Sequence, residues 1–208
     1  MNHYAISPKY SFWQKIGLLG KKRLPIGYQA GLTLNKVERD VSSYQCEFAL
    51  GGGALAVLLI KPQDELIIEV TERVKTLFMA FIVYSHFTVS GACDNTIEAR
   101  INVKTTGSMR KKSIRYVSNQ VDGLAIIDLL NEYPIIQQTL EELDFNYCHI
   151  ELKDGFWRCV IEPFTASEMV SRIPATRRYL RLTQQQRHRL LSALQLVSQL
   201  MRKRFPTY

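Results

Sequence analysis

The sequence predicts an α+β fold: a mainly antiparallel, curved sheet, a mid-chain helical pair at about 122–144, a late β-hairpin at about 145–164, and a long amphipathic C-terminal helix at about 184–204 packed on the sheet. Three observations carry this. Residues 28–121 alternate apolar and polar side chains or run in short apolar blocks, which is the period-two signature of strands. Asp154-Gly155 separates two such runs, and that dipeptide is a strong signal for a two-residue hairpin turn. Thr183-Gln184-Gln185-Gln186 has the capping-box pattern, followed by Leu190, Leu194, Val197 and Met201 within one helical stripe.

Each element follows in order. Ser11–Leu19 is expected to form a short helix with Ser11 as its cap. Tyr44, Cys46, Phe48 and Leu50 alternate with polar residues, Gly51-Gly52-Gly53 forms a turn or bulge, and Ala54–Ile60 is a buried strand. A turn at Pro62–Asp64 precedes Leu66, Ile68 and Val70. Residues 73–84 fit helix or strand, and the β-branched and aromatic content from Phe78 onward favours strand. Ile97, Ala99, Ile101 and Val103 face one way and Glu98, Arg100, Asn102 and Lys104 the other, the mark of a strand with one wet face. Thr105–Ser108 is expected to turn into a return strand from Arg110 to Val117. Asp122 is the expected cap of a helix presenting Leu124, Ile127 and Leu130, with Ile126 beside them. Pro134 breaks it before a second helix with Ile136, Leu140 and Leu143 inward.

The Asp154-Gly155 turn sets a register. Lys153 pairs with Phe156, Glu151 with Arg158 and His149 with Val160, leaving Cys148, Ile150, Leu152, Trp157, Cys159 and Ile161 on the core side. Ser167 is expected to cap a short turn before Pro174, and residues 177–182 to be extended with Arg177, Tyr179 and Arg181 on one side.

At 208 residues, with 46% hydrophobic and 22% charged residues, the chain reads as one globular domain over 1–208, with an aromatic and basic segment at 1–27 and a basic segment at 165–208 ending in a helix. Met1–Arg23 contains no apolar core of a secretory signal. The longest apolar runs, Ala54–Ile60 and Leu77–Tyr84, are far shorter than the roughly 20 residues of a membrane span. A soluble, cytoplasmic protein is expected, with Cys46, Cys93, Cys148 and Cys159 reduced.

The chemistry of the chain is sparse. Gly17–Lys22 fails as a phosphate loop, since Lys15 stands where glycine is needed and Lys22 where serine or threonine is needed. His3, His86, His149 and His188 are isolated, and no metal or cofactor is expected. Cys93 with His86 lacks the local signature of a cysteine nucleophile. Glu141-Glu142-Asp144, Asp64-Glu65 and Glu69 with Glu72 read as solvated faces. No catalytic residue is assigned, and the reading leans away from an enzyme.

Charge is the outstanding feature. Residues 165–208 hold nine basic residues against one acid, Glu168, which equals the whole chain's excess of 27 basic over 19 acidic residues. The expected function is therefore a non-enzymatic binding domain contacting an anionic partner (nucleic acid, an anionic membrane surface or an acidic protein). The expected contact residues are Arg177, Arg178, Tyr179, Arg181, Arg189, Arg202 and Lys203, with Lys111 and Lys112 added. A small apolar ligand or lipid held between the sheet and the C-terminal helix is the alternative.

Overall fold

The computed structural model describes residues 24–50, 56–63, 66–94, 96–108 and 111–206. The expected helix at Ser11–Leu19, the Gly17–Lys22 segment and the triple glycine lie outside them. In chain order the elements are α1 (Leu32–Asp40), β1 (Gln45–Leu50), β2 (Ala56–Gln63), β3 (Leu66–Thr76), β4 (Ala80–Ala92), β5 (Ala99–Ser108), β6 (Lys111–Val117), α2 (Val121–Asn131), α3 (Pro134–Glu141), β7 (Phe145–Lys153), β8 (Phe156–Pro163), β9 (Ser167–Arg172), β10 (Ala175–Leu180) and α4 (Gln184–Arg204). The α+β class is as the sequence predicts.

Every strand pairing is antiparallel, in the spatial order β1-β2-β3-β4-β8-β7-β5-β6. β4, at 13 residues, is long enough to serve two neighbours on one edge. Its second half, Phe87–Ala92, pairs with β8, and its first, Ala80–Val83, with β9, which in turn pairs with β10. The sheet therefore forks, and β9–β10 extends one end of it beside the β3–β4 hairpin.

The inner face of the sheet is apolar because alternate residues of each strand point the same way. Val70, Phe87, Ile161, Cys148 and Val103 form one buried row across five strands, and Val89, Cys159, Ile150 and Ile101 form the next. Leu190, Leu194, Val197 and Met201 of α4 are buried in the same continuous core. α4 starts where the capping box predicts: Thr183 Oγ1 accepts from the Gln186 amide at 3.4 Å, and Gln186 Oε1 accepts from the Thr183 amide at 3.2 Å. The β7–β8 hairpin has the predicted register, with Asp154 (φ 52°) and Gly155 (φ 77°) both left-handed, as a two-residue turn matching strand twist requires.

Six expectations are corrected. Residues 32–40 form a helix rather than continuing the strands. The N-terminus of α1 has no cap from its own neighbours; Glu72, on β3, accepts from the amides of Gly31 (2.9 Å), Thr33 (3.0 Å) and Leu34 (3.2 Å). Glu72 is thus an inward cap and not part of a solvated face, and a carboxylate there complements the helix dipole. β5 runs on through Thr105–Ser108, paired with β6 from Thr105↔Ile114 to Ser108↔Lys111, so no turn occurs there. The N-cap position of α2 is Gln120, which makes no side-chain capping bond, and Asp122 accepts from the Glu98 amide at 3.3 Å. Leu124 is 55% exposed, and the buried stripe is Gly123, Ile126 and Leu130. Gly123 can face inward because it lacks a Cβ, which would lie 2.0 Å from Ser118 Oγ. Ser167–Arg172 is a strand, since the first half of β4 extends beyond β8 and pairing with β9 satisfies its free backbone groups.

Candidate contact surface

The basic C-terminal residues are placed by acids that come from earlier in the chain. Asp40, at the end of α1 and 5% exposed, accepts from the Tyr179 hydroxyl, Arg181 Nε and the Leu182 amide, each at 2.8 Å. Its own carbonyl accepts from Arg187 Nη1. Glu168, 1% exposed on β9, pairs with Lys36 of α1, accepts from Thr33 Oγ1 at 3.0 Å, and has Arg177 Nε at 3.4 Å. Arg177 Nη2 also donates to the Gly27 carbonyl at 3.2 Å. Buried carboxylates are stable only when paired, so α1 is clasped to the sheet by charge at both ends. Burial, then the Asp40 contact, pushes the Tyr179 phenol pKa up, keeping it a donor.

The other expected contact residues have different neighbours. On α4, Arg189 Nε is 3.0 Å from Glu142 Oε2, Lys203 donates to the Tyr133 hydroxyl at 3.3 Å, and Arg202 is exposed. On β6, Lys112 donates to the Leu143 carbonyl and to Asp144 Oδ1 at 3.1 Å, and Lys111 precedes it in the strand. Arg178 is exposed on β10, on the strand face opposite Arg177 and Tyr179. Apart from Arg202, these residues are thus divided among α1, the α2–α3 pair, β6 and the outer face of the sheet.

That outer face carries a polar network that the sequence reading missed. Glu162, on β8 with no exposed surface, receives Arg73 of β3 in a two-point contact, Nε to Oε2 and Nη2 to Oε1, both 2.7 Å. His86 Nε2 lies 2.5 Å from Oε2, and Asn146 Nδ2 donates to Oε1. Burial pushes the Glu162 carboxyl up, but the hydrogen bonds from His86, Arg73 and Asn146 outweigh it and bring the pKa to about 2. An ionised Glu162 only accepts, so His86 Nε2 carries the proton. The Tyr147 hydroxyl sits 3.2 Å from His86 Nε2, and the Tyr147 ring stacks on His149 at 5.4 Å. These residues come from four strands, and only the full sheet order brings them together. The Tyr147–Glu162 pairing was within reach of the Asp154-Gly155 register.

One end of this face is apolar and basic. The β3–β4 turn exposes Leu77 (39%), Phe78 (95%) and Met79 (44%), and the β9–β10 turn exposes Ile173 (68%). The two turns are tied together, since the Arg172 amide donates to the Met79 carbonyl at 2.9 Å. On the outer face below them, the pairings place Arg178, Met169, Ile82 and Lys75 in one row across β10, β9, β4 and β3. Lys75, Arg172 and Arg178 are exposed and form no ion pair among the described residues. The acids of this end, Glu72, Glu162 and Glu168, are each committed to the partners given above.

Among the described residues there is no group of three or more His, Cys, Asp or Glu side chains placed to hold a metal, and no helix is long and apolar enough to cross a membrane. No curated protein and no solved structure matches the chain. A family model does match, over residues 41–201, a span that contains all ten strands together with α2, α3 and α4 as far as Met201. By that match the chain belongs to the family described as protein of unknown function, DUF3156.

Proposed function

We propose that the protein is a non-enzymatic binding domain that docks on an anionic surface with the end of its sheet formed by the β3–β4 and β9–β10 hairpins. One observation carries the reading: Lys75, Arg172 and Arg178 are exposed there without ion partners among the described residues, while the nearby carboxylates of Glu72, Glu162 and Glu168 are each held by other contacts. Unpaired exposed cations retain their long-range field toward an anionic partner, whereas paired ones such as Arg181 and Arg189 have largely spent theirs. The C-terminal basic segment contributes through Arg172 and Arg178. Its remaining charges chiefly fasten α1 and the helical pair.

The test is retention of the full chain on a heparin matrix at low salt. The expected result is elution at moderate salt, shifted to clearly lower salt by the double reversal Lys75→Glu with Arg178→Glu. An equal change of net charge at Lys104 and Lys153, both exposed elsewhere on the sheet, should shift elution less. Failure of the wild-type protein to bind at low salt, or equal shifts from the two double variants, refutes the reading.

A further inference from the structure

We infer that the anionic surface is a lipid bilayer, entered by Phe78, an inference that rests on the docking reading above. A phenylalanine that is 95% exposed at a hairpin tip leaves apolar area in water unless something covers it. Leu77, Met79 and Ile173 share the same tip. Of these four side chains only Phe78 has a π face on which a nucleic-acid base could stack, and Leu77, Met79 and Ile173 have none, so the composition suits hydrocarbon better than a single strand.

The spacing of charge and apolar groups fits an interface of two layers. Lys75 lies in β3 one residue before its end, and Phe78 lies three residues on in the turn, so the two are at most about 10 Å apart along the chain. Interfacial elements bury their apolar side about 5–10 Å into the boundary between headgroups and acyl chains. With Phe78 at that depth, Lys75 lies at the level of the lipid phosphates. Arg178 lies in the same transverse row as Lys75 and therefore at the same level. Across three inter-strand steps of about 4.8 Å, the two cations stand roughly 14 Å apart and meet separate headgroups. Arg172, one residue before Ile173, supplies a third contact. The hydrogen bond from the Arg172 amide to the Met79 carbonyl makes the two tips one wedge, so little order has to be created when it inserts. The chain's net charge of +8 favours approach to an anionic leaflet.

The experiment is co-sedimentation of the full chain with vesicles of phosphatidylcholine containing 30% phosphatidylglycerol, beside vesicles of phosphatidylcholine alone and the heparin matrix. The expected result is binding to the anionic vesicles, weak binding to the neutral ones, and a loss of about ten- to a hundredfold for Phe78→Ser, the range that burying one phenylalanine implies. Because Phe78 touches no core, Phe78→Ser should keep wild-type heparin elution and circular dichroism. Phe78→Trp should bind with a blue shift of its added emission and be quenched by lipids brominated in the acyl chain. Several outcomes overturn the inference while leaving the docking reading standing: a wild-type chain retained by heparin but not by the anionic vesicles, one that prefers single-stranded DNA to them, or Phe78→Ser with wild-type vesicle affinity. Equal binding to neutral vesicles overturns it too. A chain that binds neither heparin nor anionic vesicles removes both readings together.

Discussion

Arg73 holds both oxygens of Glu162 at 2.7 Å, and Glu162 has no surface of its own exposed to water. Removing the guanidinium leaves a buried carboxylate whose remaining partners among the described residues are His86 and Asn146. Arg73→Met should therefore cost about 3 kcal/mol in urea unfolding at pH 7. The charge also sets an acid limit. With its pKa brought down to about 2 in the fold, Glu162 contributes stability that is present above the unfolded carboxylate range and is lost as pH falls through that range toward 2. The variant Glu162→Gln should show a shallower loss of stability between pH 5 and pH 2 than the wild type, measured as unfolding free energy against pH.

His149 acts in the same direction through a different cause. Burial, with Arg100 nearby, lowers its pKa to about 4. The unfolded chain then binds a proton below pH 6.5 that the folded chain refuses until about pH 4, so stability falls as pH drops through that window. Replacement by an aromatic ring that keeps the stack on Tyr147 removes this effect. His149→Phe should be relatively more stable than the wild type at pH 5 than at pH 7, by about 2 kcal/mol at 1.36 kcal/mol per pKa unit.

The sequence made local features legible and hid those assembled from a distance. The β7–β8 register follows from two turn residues, and the start and buried stripe of α4 from one capping box and one helical period. The helix α1 carries a readable stripe in Leu34 and Val37, continued by Val41 just past its end, all fully buried, but its start signal is Glu72, some forty residues away. The same distance obscured the charge. Nine basic residues within the last 44 looked like one surface, yet Asp40 and Glu142, from the formally neutral part of the chain, take up Arg181 and Arg189. The docking end joins Lys75 to Arg178 through pairings of β4 with β9 and β9 with β10 that no periodicity encodes.

Asp40 joins α1 to the chain leading into α4, because three donors from residues 179–182 converge on its carboxylate. Asp40→Asn keeps the shape but weakens these charge-assisted bonds, and should cost about 2 kcal/mol. The local consequence separates this from a general loss of stability. Amide hydrogen exchange in α1 should accelerate well beyond that in β7 and β8, since the helix loses its C-terminal clasp while the centre of the sheet is untouched. Uniform acceleration across all three elements would show that α1 is not an independently clasped unit.

Gly91 lies directly opposite Trp157 in the β4–β8 ladder, on the side where the indole packs. A Cβ at position 91 would stand 2.8 Å from three atoms of that ring. Trp157 has no exposed surface, so the ring cannot swing outward to make room, and β4 is held in register with β8 on either side of Gly91 by the pairs Ser90↔Arg158 and Ala92↔Phe156. Overpacking of this kind costs about 1–3 kcal/mol, and a rigid neighbour puts Gly91→Ala at the upper part of that range. Restoring the volume should rescue it: Gly91→Ala with Trp157→Phe should lose less stability than the two single changes added together, a positive coupling that a double-mutant cycle of urea midpoints reads directly. Additive losses would mean that the ring and position 91 do not compete for the same space. The indole Nε1, buried without a hydrogen-bond partner among the described residues, makes the tryptophan the costlier of the two side chains to keep in the core, so Trp157→Phe alone should cost less than its lost area suggests.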